Sequence, residues 1–188
     1  MSGLNRFYYP TKYQSRNEVV SLSIKCVFIS YQKKDRDAAI KVSEYLQNAG
    51  IDVYIDIYDT ELRIQHQNDN PVEVTKAICN GINNSSHMLA VVSPDTLYST
   101  WVPFEIGYGY DKTELGVLCL KGIQKGKLPE YVRTSPIIRD IYDLNNLIER
   151  LSGRNKEVLL ESKMISDYGS LSNPLYSVMD SLISDQYK

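Results

Sequence analysis

The run KCVFISY at residues 25–31 is a short apolar stretch that ends in polar residues, as strands buried on both faces do. Further apolar runs follow at residues 53–55, 88–92, 117–120 and 137–138, and the run at 88–92 is the most apolar in the chain. Stretches with helical spacing of apolar residues lie between them. Alternation of buried strands with helices predicts a parallel sheet that is covered by helices on both faces. The sequence therefore predicts an α/β, flavodoxin-like fold with five parallel strands.

Helix start and stop signals stand between these runs, where the fold requires helices. Asp35 or Asp37 is placed to cap a helix after the first strand, and Gly50 is placed to close it in the left-handed conformation. The run NPVE at residues 70–73 combines a capping asparagine, a first-turn proline and a glutamate that reaches back to the cap. Another helix is predicted to begin near Thr100.

The 188-residue chain has a length that suits one compact domain with short appendages. We interpret residues 1–24, which are polar and rich in tyrosine but not periodic, as an N-terminal extension. Residues 25–150 form the predicted domain, and residues 151–188 form a C-terminal helical extension packed on it. Two weaker helices are predicted at residues 143–151 and 174–185 from the helical spacing of their apolar residues.

The composition argues against several classes of function. The chain is 43% hydrophobic and 23% charged, which is typical of a globular domain. Its net charge of −2 lacks the basic surplus that nucleic-acid-binding proteins carry. Its apolar runs are far shorter than the roughly 18–20 residues of a membrane helix, and its first residues lack a signal-peptide core. These features predict a cytoplasmic protein that binds neither nucleic acid nor membrane.

The cysteines and histidines predict neither a disulfide framework nor a metal site. The three cysteines lie far apart inside apolar stretches, without a C-x-x-C pair, and are interpreted as buried free thiols. The two histidines share no metal-ligand spacing with a carboxylate or a thiol, so no metal is predicted. The residues concerned are Cys26, Cys79, Cys119, His66 and His87.

The segment from Ser99 to Glu105 is the most informative about chemistry. In sheets of this kind ligands bind at the carboxyl ends of the strands, and this segment follows the third strand. Trp101 and Glu105 are four residues apart, a spacing that places both side chains on one face of a helix. Pro103 falls in the first turn, where its missing N–H removes no helical hydrogen bond. A tryptophan and a carboxylate are thus predicted to face the ligand crevice together.

Two motifs, in this order, resemble those of TIR domains. V-F-I-S-Y at residues 27–31, followed by a polar loop and Asp35, is similar to the opening strand of the family. Ser99-x-Trp101-x-x-x-Glu105, after a strand of the V-V-S-P type, is similar to the family signature S-x-W-x-x-x-E. The resemblance covers roughly residues 25–125 and is closest to stand-alone bacterial TIR proteins, including those of the Thoeris anti-phage system.

The resemblance implies NAD glycohydrolase chemistry, with Glu105 in the catalytic position and NAD as the substrate, and with no further cofactor. Breaking the nicotinamide–ribose bond develops positive charge on the ribose, which a fixed carboxylate stabilises. Nicotinamide leaves as a neutral pyridine, so one carboxylate suffices without a general acid. The substrate-binding candidates are Trp101, the strand-end residues Tyr31, Gln32 and Lys33, and Leu62 in the loop after the second strand.

The resemblance also implies products and partners. Capture of the ribosyl cation by water gives ADP-ribose, whereas capture within the same substrate gives a cyclic ADP-ribose isomer. In bacterial defence relatives such nucleotides signal to an effector protein, and TIR domains associate with one another. The loop that contains Leu62 lacks the glycine of many TIR domains, because no glycine occurs between Gly50 and Gly81. Oligomer geometry and product identity therefore stay open.

Three alternatives compete with this interpretation. A scaffold that acts through TIR–TIR contacts has less need of Glu105, whose presence with Trp101 favours the enzyme. A nucleoside N-glycosyl transferase also uses a helical glutamate, but the V-F-I-S-Y strand favours a TIR domain. A phospho-acceptor receiver carries its aspartate on the third strand, whereas Asp56 follows the second.

The glycines of Gly107-Tyr108-Gly109 are interpreted as a close-packing site, because a phosphate loop would precede a helix.

Overall fold

The computed structural model describes residues 2–8, 25–56, 71–96, 99–123 and 126–183. Five strands form one sheet, and every neighbouring pair is parallel, in the order β2-β1-β3-β4-β5. The strands are β1 Cys26–Ser30, β2 Asp52–Tyr54, β3 His87–Val92, β4 Glu114–Cys119 and β5 Ile137–Ile138. This order is that of the flavodoxin-like fold, and it confirms the predicted α/β class.

Helices connect the strands and cover both faces of the sheet. They are α1 Arg36–Asn48, α2 Pro71–Asn83, α3 Trp101–Gly109, α4 Ile141–Ser152 and α5 Lys156–Glu161. Helix α4 confirms the helix predicted at residues 143–151. Short 3₁₀ turns lie at Lys33–Asp35 and Glu130–Val132.

Apolar side chains pack on both faces of the sheet, and β1 contributes to each. Val27 and Ile29 pack in the cluster formed with α1, α4 and the C-terminal segment (residues 162–183), whereas Phe28 packs with α2 and α3. The alternation follows from the two-residue repeat of a strand. It also turns Ser30, the last residue of β1, toward the same face as Phe28 and α3.

The helix-end predictions are confirmed in part. Gly50 has a φ of 82° after α1, as a left-handed helix-closing residue requires. Asp35 precedes α1 but makes no capping hydrogen bond. Its carboxylate instead accepts a hydrogen bond from the Ser93 hydroxyl at 2.7 Å. The prediction that Asp35 caps α1 is therefore wrong. Its carboxylate binds the hydroxyl of Ser93 instead of a backbone N–H of the helix, because the end of β3 brings that hydroxyl within reach. Asn70 lies outside the described residues.

The two glycines at the end of α3 differ in their surroundings. A Cβ atom at Gly109 would lie 2.6 Å from the sulfur of Met88, so this glycine permits close packing of α3 on β3. A Cβ atom at Gly107 would meet nothing within 4 Å. The close-packing interpretation is thus confirmed for Gly109 and wrong for Gly107.

The N-terminal segment (residues 2–8) runs along the outer edge of β2. Val53 donates its N–H to the carbonyl oxygen of Leu4 at 2.9 Å and accepts from the N–H of Arg6 at 2.7 Å. Asn5 and Val53 thereby form an isolated parallel bridge. A single bridge imposes no repeat on the sequence, which is why periodicity did not predict this pairing.

The helix predicted at residues 174–185 is wrong over its described part, which consists mainly of turns. The side chain of Asn173 accepts the N–H of Leu175 at 2.9 Å and donates to backbone carbonyls upstream. Such side-chain hydrogen bonds compete with those of a helix. Leu175 and Met179 are nevertheless fully buried in the core. Their spacing therefore identified these two inward-facing residues but not the backbone conformation, and Leu182, which has the same spacing, is 51% exposed.

Candidate active site

A solvent-open cleft lies at the carboxyl ends of β1 and β2, beside α3. This is where parallel sheets of this kind bind ligands. Its walls combine several aromatic rings with a few charged groups. The rings belong to Phe7, Phe28, Tyr31, Tyr54 and Trp101, and the charged side chains to Lys33, Asp56 and Glu105.

Helix α3 begins at the edge of this cleft. Thr100 occupies the position before it without a side-chain cap, and the Ser99 hydroxyl instead accepts the N–H of Val102 at 3.2 Å. Pro103 stands in the first turn, as predicted. The side chains of Trp101 and Glu105, one helical turn apart, both line the cleft. The four-residue spacing thus brings a carboxylate and a large ring to one site.

Glu105 is the buried carboxylate of the cleft, with 9% of its surface exposed. Its Oε2 atom accepts a hydrogen bond from the hydroxyl of Ser30 at the end of β1. Burial raises the pKa of Glu105 from its ordinary 4.5 to about 7, and the Ser30 hydrogen bond opposes this increase by favouring the ionised form. Glu105 is therefore positioned by a strand end and poised to ionise near neutral pH.

Trp101 is partly buried beside Glu105. Its ring meets Phe104 edge-on, with 5.9 Å between ring centroids and 84° between ring planes. Phe104 in turn stacks on Tyr108 at 6.2 Å. Contacts along α3 thus orient the indole while part of it stays open to the cleft, where it can stack on a planar or cationic ring.

The loop after β1 contributes the three predicted side chains to the cleft. Tyr31, Gln32 and Lys33 all line it. The Tyr31 hydroxyl donates to the backbone carbonyl of Asp56, and the Gln32 amide donates to the Ser93 hydroxyl at 3.2 Å. These bonds connect the ends of β1, β2 and β3 around the cleft. Leu62, the remaining predicted site residue, lies outside the described residues.

Some residues of the site were not among the predicted site residues: Ser30, which supports Glu105 without lining the cleft, and the ring-bearing residues Phe7, Phe28 and Tyr54, which line it. Ser30 had a detectable signal, since strand alternation puts it on the face that α3 covers. Strand alternation also places Phe28 and Tyr54 on this face. Their rings stack with 5.7 Å between ring centroids and 21° between ring planes. Phe7 had no signal, because it lies in the aperiodic N-terminal segment and meets Tyr54 only in the folded chain, at 5.7 Å and 83°.

The described residues contain no group of three His, Cys, Asp or Glu side chains that could hold a metal ion. Cys26 and Cys119 are buried free thiols, whereas Cys79 is only partly buried. Burial raises the pKa of Cys26 to about 12 and that of Cys119 to about 11, so both stay protonated near neutral pH.

Within the described ranges, no helix is long and apolar enough to cross a membrane.

Comparison with known proteins identifies the family. The family model of the TIR domain matches residues 27–135, more than half of the 188-residue chain. No curated protein matches the sequence. Similar solved structures include the TIR domain of the Toll-related receptor TRR-2 from Hydra magnipapillata, with a TM-score of 0.48 and 17% identity over 73% of this chain and 97% of that one. A metazoan TIR-STING receptor from C. gigas, in complex with 2′,3′-cGAMP, has a TM-score of 0.49 and 20% identity, over 68% of this chain and 39% of the receptor. With its family model matched across the strands and helices that build the cleft, the chain belongs to the TIR domain family.

Proposed function

We propose that this TIR domain cleaves the nicotinamide–ribose bond of NAD, with Glu105 as the catalytic carboxylate. The observation that carries the proposal is the buried Glu105, which Ser30 holds in an aromatic cleft one helical turn from Trp101. Membership of a family that includes NAD-cleaving enzymes supports the same assignment.

The chemistry follows from the position of the carboxylate. As the bond to nicotinamide lengthens, positive charge develops on the ribose carbon and ring oxygen. A fixed carboxylate stabilises the transition state, in which the ribose carries this charge, more strongly than the ground state. The effect is large in a poorly solvated site, because water does not screen the interaction. Nicotinamide needs no proton to leave. Glu105 therefore acts in its ionised form, and Trp101 supplies a ring face beside the departing nicotinamide.

The fate of the ribosyl cation decides the product. Attack by water gives ADP-ribose, and attack by a nucleophile of the same substrate gives a cyclic ADP-ribose isomer. We propose that the product acts as a signal to an effector protein in anti-phage defence of the Thoeris type, in the cytoplasm.

Self-association is part of this proposal. Helix α3 and its end expose aromatic side chains, with Phe104 37% and Tyr110 55% exposed. Such rings are enriched where proteins meet. We expect weak activity of the dilute protein and higher specific activity when it is crowded. A scaffold that acts only through TIR–TIR contacts is the alternative function, and these same exposed rings favour it.

The test is incubation of the purified chain with NAD at low and high protein concentration, with products separated by liquid chromatography and weighed by mass spectrometry. Free nucleosides are assayed in parallel. Nicotinamide release from NAD, but no base release from nucleosides, supports the proposal. The mass of the co-product distinguishes hydrolysis from cyclisation.

The matched controls change one glutamate at a time. Glu105→Gln keeps the shape of the side chain and removes its charge, whereas Glu161→Gln makes the same change at an exposed position at the end of α5. Loss of release in the first variant alone assigns the chemistry to the cleft. Absence of release from the unaltered chain under crowded conditions contradicts the proposal and favours the scaffold.

A further inference from the structure

The cleft has a wall that lies outside the stretch matched by the family model, which begins at residue 27. Phe7, in the N-terminal segment, lines the cleft together with Trp101 and Glu105. Its side chain is partly buried, so the ring is neither sequestered in the core nor free in solvent. A binding site that uses this ring is therefore more extensive than the family domain alone.

The N-terminal segment is held firmly enough to present Phe7 in one place. The Asn5 side chain donates to the carbonyl of Ile55 at 3.0 Å, and its Oδ1 atom accepts the backbone N–H groups of Ile55 at 3.2 Å and Phe7 at 3.1 Å. Arg6 is buried and forms an ion pair with Asp52. A ring fixed in this way loses little conformational freedom when a ligand stacks on it.

Three rings, those of Phe7, Tyr54 and Phe28, form an aromatic wall on the β2 side of the cleft. Phe7 meets Tyr54 edge-on at 5.7 Å, and Tyr54 stacks on Phe28 at 5.7 Å. Trp101 and Glu105 come from α3, which follows β3 on the other side of β1. A ligand that reaches Glu105 with one end therefore has a second aromatic surface available for its other end.

We propose that Phe7 is a binding residue for the second base of a dinucleotide, the adenine of NAD, on a wall shared with Tyr54. This inference rests on the proposed function, which places the nicotinamide ribose at Glu105. The purine is a neutral planar ring, and stacking on aromatic side chains is the interaction by which such bases are held without base-specific hydrogen bonds. Phe7 thus sets affinity for the adenylate half and takes no part in bond cleavage.

The experiment measures ligand binding without turnover, in the full chain that carries Glu105→Gln. Trp101 is the only tryptophan of the sequence and lines the cleft, so its fluorescence reports ligand entry, with calorimetry as the second measurement. The ligands are ADP-ribose, which carries adenine, and nicotinamide mononucleotide, which does not. Phe7→Ala is expected to raise the Kd for ADP-ribose about tenfold, the loss of one base-stacking contact, and to leave that for nicotinamide mononucleotide within about twofold.

Two further variants separate stacking from packing. Phe7→Tyr keeps the ring and is expected to restore ADP-ribose binding. Tyr8→Ala removes a neighbouring ring that touches Phe7 at 5.4 Å but does not line the cleft, and it is expected to leave both affinities unchanged. Thermal unfolding of each variant checks that the fold persists.

The outcomes distinguish this inference from the proposed function. Equal weakening of both ligands by Phe7→Ala, unchanged ADP-ribose binding, or no ADP-ribose binding by the parent protein overturns the role of Phe7. Phe7-dependent ADP-ribose binding supports it even where the unaltered chain releases no nicotinamide, a result that contradicts only the proposed cleavage.

Discussion

At the scale of single residues, Glu105 meets two opposing requirements. Burial strengthens its interaction with a developing positive charge, because few water molecules screen it. The same burial raises its pKa to about 7 and so reduces the ionised fraction at neutral pH. Ser30 partly offsets this increase in the pKa, because its hydroxyl donates a hydrogen bond to the carboxylate and favours the charged form. The pair, rather than the glutamate alone, is the unit on which the proposed chemistry depends.

The pH dependence of nicotinamide release tests this pairing. Because the ionised carboxylate is the active form, kcat/KM is expected to rise with pH along a limb centred near the Glu105 pKa of about 7, since kcat/KM reports the pKa of the free enzyme. Ser30→Ala removes the hydrogen bond that lowers this pKa, so the limb is expected to move to higher pH. The measurement is a pH–rate profile of both proteins.

Controls for this profile exist within the chain. Ser30→Thr keeps a hydroxyl and is expected to return the limb toward its original position. Ser43→Ala removes another buried hydroxyl, which donates to the carbonyl of Ile40 at 2.8 Å in α1, away from the cleft. A limb that does not move in Ser30→Ala, or that moves equally in Ser43→Ala, contradicts the assigned role of Ser30.

At the scale of elements, the N-terminal segment depends on close approach to the chain before β2. A Cβ atom on Gly3 would overlap the carbonyl oxygen of Ile51, which is backbone and has little room to move. Gly3 also donates its N–H to the carbonyl of Gln47 at 2.7 Å. The segment that carries Phe7 is thus attached where only glycine fits.

Gly3→Ala is therefore expected to displace the N-terminal segment and to weaken ADP-ribose binding by about the tenfold expected for loss of the Phe7 contact. Ser2→Ala, at the exposed neighbouring residue, is the control and is expected to leave binding unchanged. Calorimetric titration of both variants checks this, and unchanged binding in Gly3→Ala would show that the segment does not complete the cleft.

The predictability of elements from sequence follows from how local their causes are. Strands such as β3 and helices such as α4 carry their own apolar spacing and end signals, so their approximate positions were predicted. The face shared by Trp101 and Glu105 was predicted for the same reason, since helical spacing alone determines it. Phe7 was not predicted, because hydrogen bonds to residues about 50 positions away hold its segment in place.

At the scale of the whole molecule, Glu105 links stability to pH. The folded chain keeps the Glu105 proton up to about pH 7, whereas the unfolded chain loses it near 4.5. Between these values the folded state binds more protons, so this residue makes folding less favourable as pH rises, and the full cost is present above pH 7. The site thus lowers the stability of the fold that holds it.

Glu105→Gln removes this cost. The variant is expected to have a larger free energy of unfolding than the unaltered chain at pH 8, by up to about 3 kcal/mol, and one within about 0.5 kcal/mol of it at pH 4.5. Denaturant unfolding at both pH values measures the difference, with Glu161→Gln as the control for the substitution itself. A variant that is less stable than the unaltered chain at pH 8 would contradict the buried, unfavourably charged state assigned to Glu105.

The most direct test of the central claim is the rate of nicotinamide release from NAD by the concentrated chain and by its Glu105→Gln variant, at pH 8. Loss of a charge that acts mainly in the transition state is expected to lower kcat by about a hundredfold or more while the protein stays folded. Release that persists in the Glu105→Gln variant at the rate of the unaltered chain would contradict the account, because the buried carboxylate would then have no part in cleavage.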